Sequence, residues 1–483
     1  MVRLITRLVY AGLFLTACKH EALRPSVESG FPEKIEKIFL TKCATAGCHN
    51  SASAGNAAGL NLSSWDELFK GAGTGAVVMP YRPDFSSLCY FINTDTSLGI
   101  SLQPTMPLFQ PPLTVDEYLT IRNWIASGAG SSEGKIAFAE NPGRRKYYVC
   151  NKMCDVVTVV DAATGLQMRY VDVGFEGKTE FPSMITVAPD RKSWYVGFAA
   201  PTRGVQQFNA ATDQLTGTIT LPEGVWTSMV ITPDSKYAYI ADNSSPGKLA
   251  MVDLSSLEVV NLYSFDDSLH YPAGMCLSSD GKQLLIGTTS GNFVHLIDLT
   301  TPGSQSLKRI IVDESGSLSF VPGVNPAHII QDSHSESWLI GCSGSGELVT
   351  IDAENGKQTG VVSINQGIGQ MVASGKLLFL SCPDDLESFP GNRGAVVVVD
   401  LDASRVIKRI NSGYQPYGLV VDSENEVVVV VNANISIEGP DSHHTSGCGE
   451  KNGNLSFIDL QTLELIPGSR RELAVFPYSI GLR

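Results

Sequence analysis

Residues 232–240 read Thr-Pro-Asp-Ser-Lys-Tyr-Ala-Tyr-Ile, and residues 249–253 read Leu-Ala-Met-Val-Asp. The first stretch is a polar turn followed by an apolar strand, and the second is a further strand that stops at the turn-forming Asp253. This pattern recurs over residues 146–483. Its seven apolar strands lie at 147–149, 194–196, 237–240, 284–286, 338–340, 378–380 and 427–429. Each unit therefore holds several β-strands in a short length of chain.

The turn residues that end the second strand of each unit are 44 to 59 positions apart. They are Asp161, Asn209, Asp253, Asp298, Asp352, Asp400 and Asp459. A repeat of about 40–50 residues with several strands is typical of β-propeller blades, so the sequence predicts seven blades over 146–483. The array resembles the YVTN family of β-propellers. That resemblance implies the fold and leaves the function open.

The two ends of the array predict how the ring closes. The first unit starts at a second strand, near Lys146, whereas the chain ends in an apolar stretch at 477–482. We expect this last stretch to be the innermost strand of the first blade, because the pairing hides two open strand edges.

A cysteine and histidine motif precedes the array. Cys43 and Cys48 are followed at once by His49, the order in which two thiols bind haem c covalently and the imidazole binds its iron. The haem motif usually has two residues between the cysteines, and this chain has four. A disulfide between the two cysteines, or a zinc site with His49 and a fourth ligand, remains an alternative.

Residues 31–130 are predicted to form short helices joined by irregular loops. Pro32 suits a first helical turn, Ser64 to Glu67 and Thr114 to Glu117 are capping boxes, and a further helix is expected near Ser86. This order resembles a class I cytochrome c domain. The resemblance implies a small all-α domain with one covalent haem.

The same resemblance implies the axial ligands of the haem iron. His49 is the proximal ligand, and Met106, in the segment Thr105-Met106-Pro107-Leu108, is the distal one. Met79, followed by Pro80, is the rival for the distal position. The predicted fold class is thus multidomain, an all-α cytochrome c domain followed by an all-β seven-bladed propeller.

The N-terminus predicts export. Residues 1–17 have the basic and apolar regions of a signal peptide, and Cys18 stands where a bacterial lipobox places its lipidated cysteine. Residues 18–30 would be a tether, and residues 131–145, which contain Gly, Ser and Pro, a linker that permits domain motion. The expected location is a bacterial membrane, with the protein lipid-anchored and facing the periplasm or the cell surface.

A second group of candidate residues lies in the propeller. The longest insertion contains His443, His444 and Cys448, which could bind copper or zinc as a second metal. A disulfide of Cys448 with Cys150 or Cys154, or between those two, is an alternative, as are solvated residues with no special role. His270 and His328 are candidate ligands for a second haem on location alone.

The leading functional hypothesis is electron transfer through one haem c, with the propeller binding a redox partner protein. The alternatives are a redox enzyme with a second cofactor on the propeller, and a haem-containing binding or sensor protein. The net charge of −14 argues against nucleic acid as a partner, because phosphate binding needs a basic surface.

Overall fold

Seven four-stranded antiparallel sheets make up the larger part of the chain in the computed structural model. The structure describes residues 29–175, 177–300, 306–332, 335, 337–442 and 446–483. The predicted signal peptide, Cys18 and most of the predicted tether lie outside the described residues. None of the described helices is long and apolar enough to cross a bilayer.

The sheets are the blades of a propeller, each written here from its innermost to its outermost strand. Blade 1 consists of β28 (Pro477–Leu482), β1 (Lys146–Asn151), β2 (Val156–Asp161) and β3 (Gln167–Asp172). Blade 2 consists of β4 (Pro182–Val187), β5 (Ser193–Phe198), β6 (Thr202–Asn209) and β7 (Leu215–Gly224). Blade 3 consists of β8 (Trp226–Ile231), β9 (Tyr237–Asp242), β10 (Leu249–Asp253) and β11 (Glu258–Tyr263).

The remaining blades follow the same order. Blade 4 consists of β12 (Pro272–Leu277), β13 (Gln283–Thr288), β14 (Phe293–Asp298) and β15 (Leu307–Ile311). Blade 5 consists of β16 (Pro326–Gln331), β17 (Trp338–Cys342), β18 (Glu347–Ile351) and β19 (Gln358–Ser363). Blade 6 consists of β20 (Met371–Ser374), β21 (Leu377–Cys382), β22 (Ala395–Asp400) and β23 (Arg405–Ile410). Blade 7 consists of β24 (Pro416–Asp422), β25 (Val427–Asn432), β26 (Asn452–Asp459) and β27 (Arg471–Val475).

The last strand closes the ring as predicted. Strand β28 pairs antiparallel with β1, and Ile480 lies opposite Val149. The blade-7 residue Asp422 reinforces the closure, because its carboxylate accepts a hydrogen bond of 2.5 Å from Tyr147 and pairs with Arg145. Burial alone would raise the pKa of Asp422, but the hydrogen bonds from Tyr147 and Arg145 lower it.

Apolar side chains hold neighbouring blades together. Between blades 1 and 2, Trp194 stacks on Tyr148 with ring centroids 4.8 Å apart, and within blade 2 it stacks on Phe208 at 4.1 Å. Full burial of such a side chain is worth roughly 1.5–3 kcal/mol, against about 1 kcal/mol for a net hydrogen bond. Packing therefore supplies most of the adhesion between blades. The buried pair Lys146 and Asp213, 2.8 Å apart, fixes their alignment.

Within the described residues, four short α-helices precede the propeller. They are α1 (Glu33–Ile38), α2 (Trp65–Leu68), α3 (Ser87–Ile92) and α4 (Val115–Ala126). A π turn spans Phe39–Cys43, and short 3-10 turns lie at Ala54–Asn56, Pro83–Phe85, Thr96–Leu98 and, within the propeller, Phe265–Asp267. The capping box of α4 is present, with Thr114 and Glu117 bonding each other's backbone, and Ser64 caps α2.

Helices are thus few among the described residues, and the structure does not support the prediction of an all-α domain. Of the helices that the structure describes, α4 alone is longer than six residues. Between α3 and α4 the chain contains four prolines, which cannot continue a helix. We call residues 29–138 the helical region. It has its own apolar core, which includes Phe39, Trp65 and Ile121.

The helical region docks on blades 1 and 7. Arg82 forms an ion pair of 2.9 Å with Asp172 of β3, and Phe85 stacks on Tyr170 with ring centroids 4.3 Å apart. On blade 7, the backbone of β27 donates a hydrogen bond of 2.9 Å to Thr74. These contacts cover the outer strand of the first blade.

The segment predicted as a flexible linker is packed in the structure. The amide of Ser132 donates to the carbonyl of Gly30 at 2.8 Å, Ala137 is buried, and Phe138 packs against the core of the helical region and against blade 1. Arg144 pairs with the buried Asp161 at 2.9 Å. Residues 131–145 therefore follow the molecular surface and hold the helical region in one orientation.

Removing residues 476–483 should abolish cooperative unfolding of the ring, because the deletion exposes the edge of β1 and the apolar core around Ile480. Circular dichroism during heating measures this. Arg483→Ala is the matched control, since among the described residues this half-buried side chain bonds only backbone carbonyls. The melting temperature of this variant should stay within a few degrees of wild type. A truncated chain that melts like wild type would contradict the closure.

Candidate functional site

The loop that carries Cys43, Cys48 and His49 is built by backbone hydrogen bonds. The π turn ends where the amide of Ala44 donates to Phe39 at 2.7 Å, and the amide of His49 donates back to Cys43 at 3.0 Å. Gly47 adopts a positive φ of 81°, which glycine tolerates best. The loop thus returns on itself and places the histidine beside the first cysteine.

Asn50 fastens this loop from the other side. Its side-chain amide donates to the carbonyl of Thr45 at 2.6 Å, and its carbonyl oxygen accepts the amides of Ala52 and Ser53 at 2.9 and 3.2 Å. The carbonyl of His49 accepts the amide of Leu62 at 2.8 Å. The loop is therefore rigidly tied to the apolar core of the helical region.

Burial controls the protonation of the site. It lowers the pKa of His49, although the carbonyls of Leu60 and Ala57 act in the opposite direction. Nδ1 of His49 is buried and has no hydrogen-bond partner among the residues that the structure describes. Burial, and then the neighbouring Cys48, raises the pKa of Cys43 to about 12. The site at neutral pH is a neutral imidazole beside a protonated thiol.

The structure bears on the two alternatives for these cysteines, a disulfide and a zinc site. Both sulfur atoms are unpaired in the structure, so Cys43 and Cys48 do not form a disulfide there. Within the described residues, no group of three or more His, Cys, Asp or Glu side chains has the arrangement of a metal site. The zinc alternative therefore gains no support from the geometry.

The two candidate methionines lie in different surroundings. Met106 is half-buried and packs against the same apolar core as Cys43, and its amide donates to the carbonyl of Phe91 at 2.8 Å. Met79 is buried, but it lines a cavity between the helical region and blade 1. Its position beside Tyr170 makes it the poorer candidate for a ligand in the core.

These residues fit the donor set that haem c requires. Two unpaired thiols can form the thioether bonds, and a neutral imidazole and a thioether can serve as axial ligands. The unpartnered buried Nδ1 of His49 is the observation that speaks for a missing group at this loop, because buried polar atoms normally have a partner.

A second candidate region lies on the face of the propeller that carries the loops into the innermost strands and the loops between the second and third strands. We call it the upper face. Cys448 is joined there to Cys154 by a disulfide with Cα atoms 5.3 Å apart. Cys150 lies in β1 rather than in a loop, and it is a buried free thiol.

The disulfide bears on the hypothesis of a second metal. A disulfide sulfur is not the thiolate that metals prefer, so Cys448 does not offer that ligand in this structure. His443 and His444 lie outside the described residues, and their role stays a prediction.

The histidines proposed for a second haem have protein surroundings instead. The ring of His270 contacts Ser245 Oγ at 2.9 Å and the carbonyl of Phe320 at 3.2 Å. His328 lies on β16, where burial lowers its pKa to about 4. Neither joins a metal-binding group among the described residues.

One feature of the upper face, the position of Lys152, was not predicted from the sequence. Lys152 follows β1, and its ammonium lies over the rings of Tyr478 and Phe476. The predicted pairing of 477–482 with the first blade was a usable signal, since it places these aromatic residues beside the loop after β1. The docking residues Arg82 and Phe85 carried no comparable signal.

Comparisons with known proteins support the fold. No protein-family model matches the sequence, and no curated protein matches it significantly. The periplasmic gluconolactonase of Pseudomonas aeruginosa is 16% identical with a TM-score of 0.51, over 70% of this chain and 98% of its own. A candidate 6-phosphogluconolactonase of Bacteroides fragilis is 14% identical with a TM-score of 0.53, over 71% and 98%.

A protein of Lactobacillus plantarum is similar to the same extent, at 15% identity and a TM-score of 0.52, over 70% of this chain and 99% of its own. The 70–71% of this chain that these three proteins cover is about the share of the sequence that residues 146–483 make up. At such low identity the likeness shows the seven-bladed propeller alone, and the chemistry of these proteins does not transfer with it.

Cys154→Ser should lower the free energy of unfolding by about 2–4 kcal/mol, because the disulfide closes a long loop of chain. Urea unfolding with and without dithiothreitol measures this. Cys448→Ser should give the same loss, and reductant should destabilise only the wild-type protein. Reductant sensitivity that persists in either variant would show that the stabilising disulfide lies elsewhere.

Proposed function

We propose that this protein is a membrane-tethered electron-transfer protein with one haem c. Cys43 and Cys48 would hold the haem covalently, with His49 and Met106 as axial ligands. The observation that carries the proposal is that, in the described part of the chain, the buried Nδ1 of His49 has no hydrogen-bond partner and directly follows two unpaired thiols. The group would supply reversible one-electron chemistry at its iron.

The surrounding residues suit that role. Burial keeps His49 neutral, which is the form that binds a metal. Leu60 and Leu62 are buried around the loop and exclude water from it. A thioether ligand such as Met106 stabilises reduced iron and raises the potential. If His49 and Met106 both held the group, no position would remain there for a substrate, and electron transfer would be favoured over catalysis.

The propeller would serve as the docking surface for a redox partner protein. The ion pair of Arg82 with Asp172 and the stacking of Phe85 on Tyr170 hold the helical region in one orientation. Next to Met106, Leu108 and Phe109 are exposed to 44% and 94%. Apolar side chains of this kind often mark contact surfaces, so a partner could bind close to the haem region.

The disulfide between Cys154 and Cys448 agrees with an exported protein, because such bonds persist in oxidising compartments. The signal peptide of residues 1–17 and lipidation at Cys18 complete this proposal. The protein would be anchored to a bacterial membrane through its acyl chains.

The test is expression of the full chain with its signal peptide in a host that matures cytochromes c. The wild-type protein should carry one haem that survives denaturation, with a sharp α-band on reduction. Cys43→Ser and Cys48→Ser should each leave one thioether bond, and the double variant should lose all covalent haem. A wild-type chain that carries no covalent haem would overturn the proposal.

The distal ligand is tested by potentiometry. Met106→His should keep the covalent haem and lower the midpoint potential, because imidazole replaces the thioether. Met79→Leu is the matched control and should leave spectrum and potential unchanged. The opposite result, a potential that responds to Met79 and not to Met106, would assign the distal position to Met79.

A further inference from the structure

Lys152 occupies an unusual position on the upper face. It follows β1, and its amide donates to the carbonyl of Phe476 at 2.9 Å. Its ammonium nitrogen lies 4.1 Å from the ring centroid of Tyr478 and 5.1 Å from that of Phe476. Closure of the ring by β28 therefore places a half-buried cation against two aromatic faces.

This cation has no acidic partner among the described residues, since no carboxylate lies within 4 Å of it. Other lysines of the propeller have acidic partners, as Lys146 has in Asp213 at 2.8 Å and Lys451 in Asp441 at 3.3 Å. Burial lowers the pKa of Lys152, and aromatic faces compensate a desolvated charge only in part. An anion at this place would supply the missing partner.

On the side of the channel, a second tyrosine lies beside the ring of Tyr478 that the cation contacts. Tyr417 and Tyr478 are the second residues of the innermost strands β24 and β28, which line the channel of a propeller. Their rings are 5.1 Å apart. Neither hydroxyl group has a hydrogen-bond partner within the described part of the chain.

The tyrosine hydroxyl groups are available as donors. Burial, and then the charge of Asp384, raises the pKa of Tyr417 to about 12, and burial raises that of Tyr478. Both stay protonated at neutral pH. The nearby Arg393 is held by Asp384 at 2.7 Å, so Lys152 is the free cation of this group within the described residues.

We infer that the upper mouth of the channel binds a small organic anion with an apolar body. Its carboxylate or phosphate group accepts hydrogen bonds from Lys152 and from the hydroxyl groups of Tyr417 and Tyr478. The body of the ligand lies against the aromatic rings. Small-molecule sites commonly combine apolar and aromatic surface with a few polar groups that fix the head group.

The test is isothermal titration calorimetry of the full chain at low salt with three probes that each contain one phenyl ring. Phenyl phosphate and benzoate share an apolar ring and differ in head group, and benzyl alcohol is the neutral comparison. At least one anion should bind saturably with one site per chain. Binding of phenyl phosphate alone would assign the site to phosphates, and binding of benzoate alone would assign it to carboxylates.

Variants locate the site. Lys152→Met should weaken the binding of the anion at least tenfold, whereas Lys152→Arg, which keeps the charge, should retain most of it. Tyr478→Phe and Tyr417→Phe keep the rings and should each weaken binding several-fold. Lys236→Met is the matched control, because this exposed lysine lies in a turn on the opposite face, and it should bind like wild type.

Three outcomes would overturn the inference. They are no saturable binding of either anion by the wild-type protein, equal binding by Lys152→Met, and equal binding of benzyl alcohol and the anions. If Lys152→Met fails to fold, the two tyrosine variants still test the inference. Anion binding that is unchanged in both Tyr417→Phe and Tyr478→Phe would also overturn the inference. None of these results depends on the presence of haem.

Discussion

The pairing of β28 with β1 is the constraint on which the other features of the propeller depend. It makes the chain's last strand part of its first blade, so the inner edge of β1 is paired and the first blade has four strands like the others. The same pairing brings Asp422 to Tyr147 and carries Phe476 and Tyr478 to Lys152. The polar closure, the aromatic cluster and the channel mouth are thus consequences of one ladder of backbone hydrogen bonds.

Much of this architecture was predictable because its signals are local. A strand that alternates with a turn-forming aspartate, as at Asp161 or Asp253, is specified by backbone preferences within a few residues. The capping box at Thr114 and Glu117 is equally local and is confirmed. Closure by 477–482 followed from counting strands, since an unpaired second strand at one end requires an innermost strand from the other.

Long-range side-chain contacts were not predictable in the same way. Nothing in the neighbourhood of Arg82 and Phe85 indicates that they meet Asp172 and Tyr170, nearly ninety positions away. The spacing of Cys150 and Cys154 likewise left the disulfide undecided. The structure resolves it because Cys150 is enclosed within strand β1, whereas Cys154 lies in the following loop and reaches Cys448.

The disulfide between Cys154 and Cys448 spans 294 positions and so encloses most of the propeller in one covalent circle. A protease that cuts any single peptide bond between these two cysteines converts the circle into two fragments that stay joined. Each fragment also remains anchored in the same ring of blades. A nicked molecule can thus keep its mass and its shape, and only reduction reveals the cut. That tolerance to cleavage is a durable form of protection against proteases.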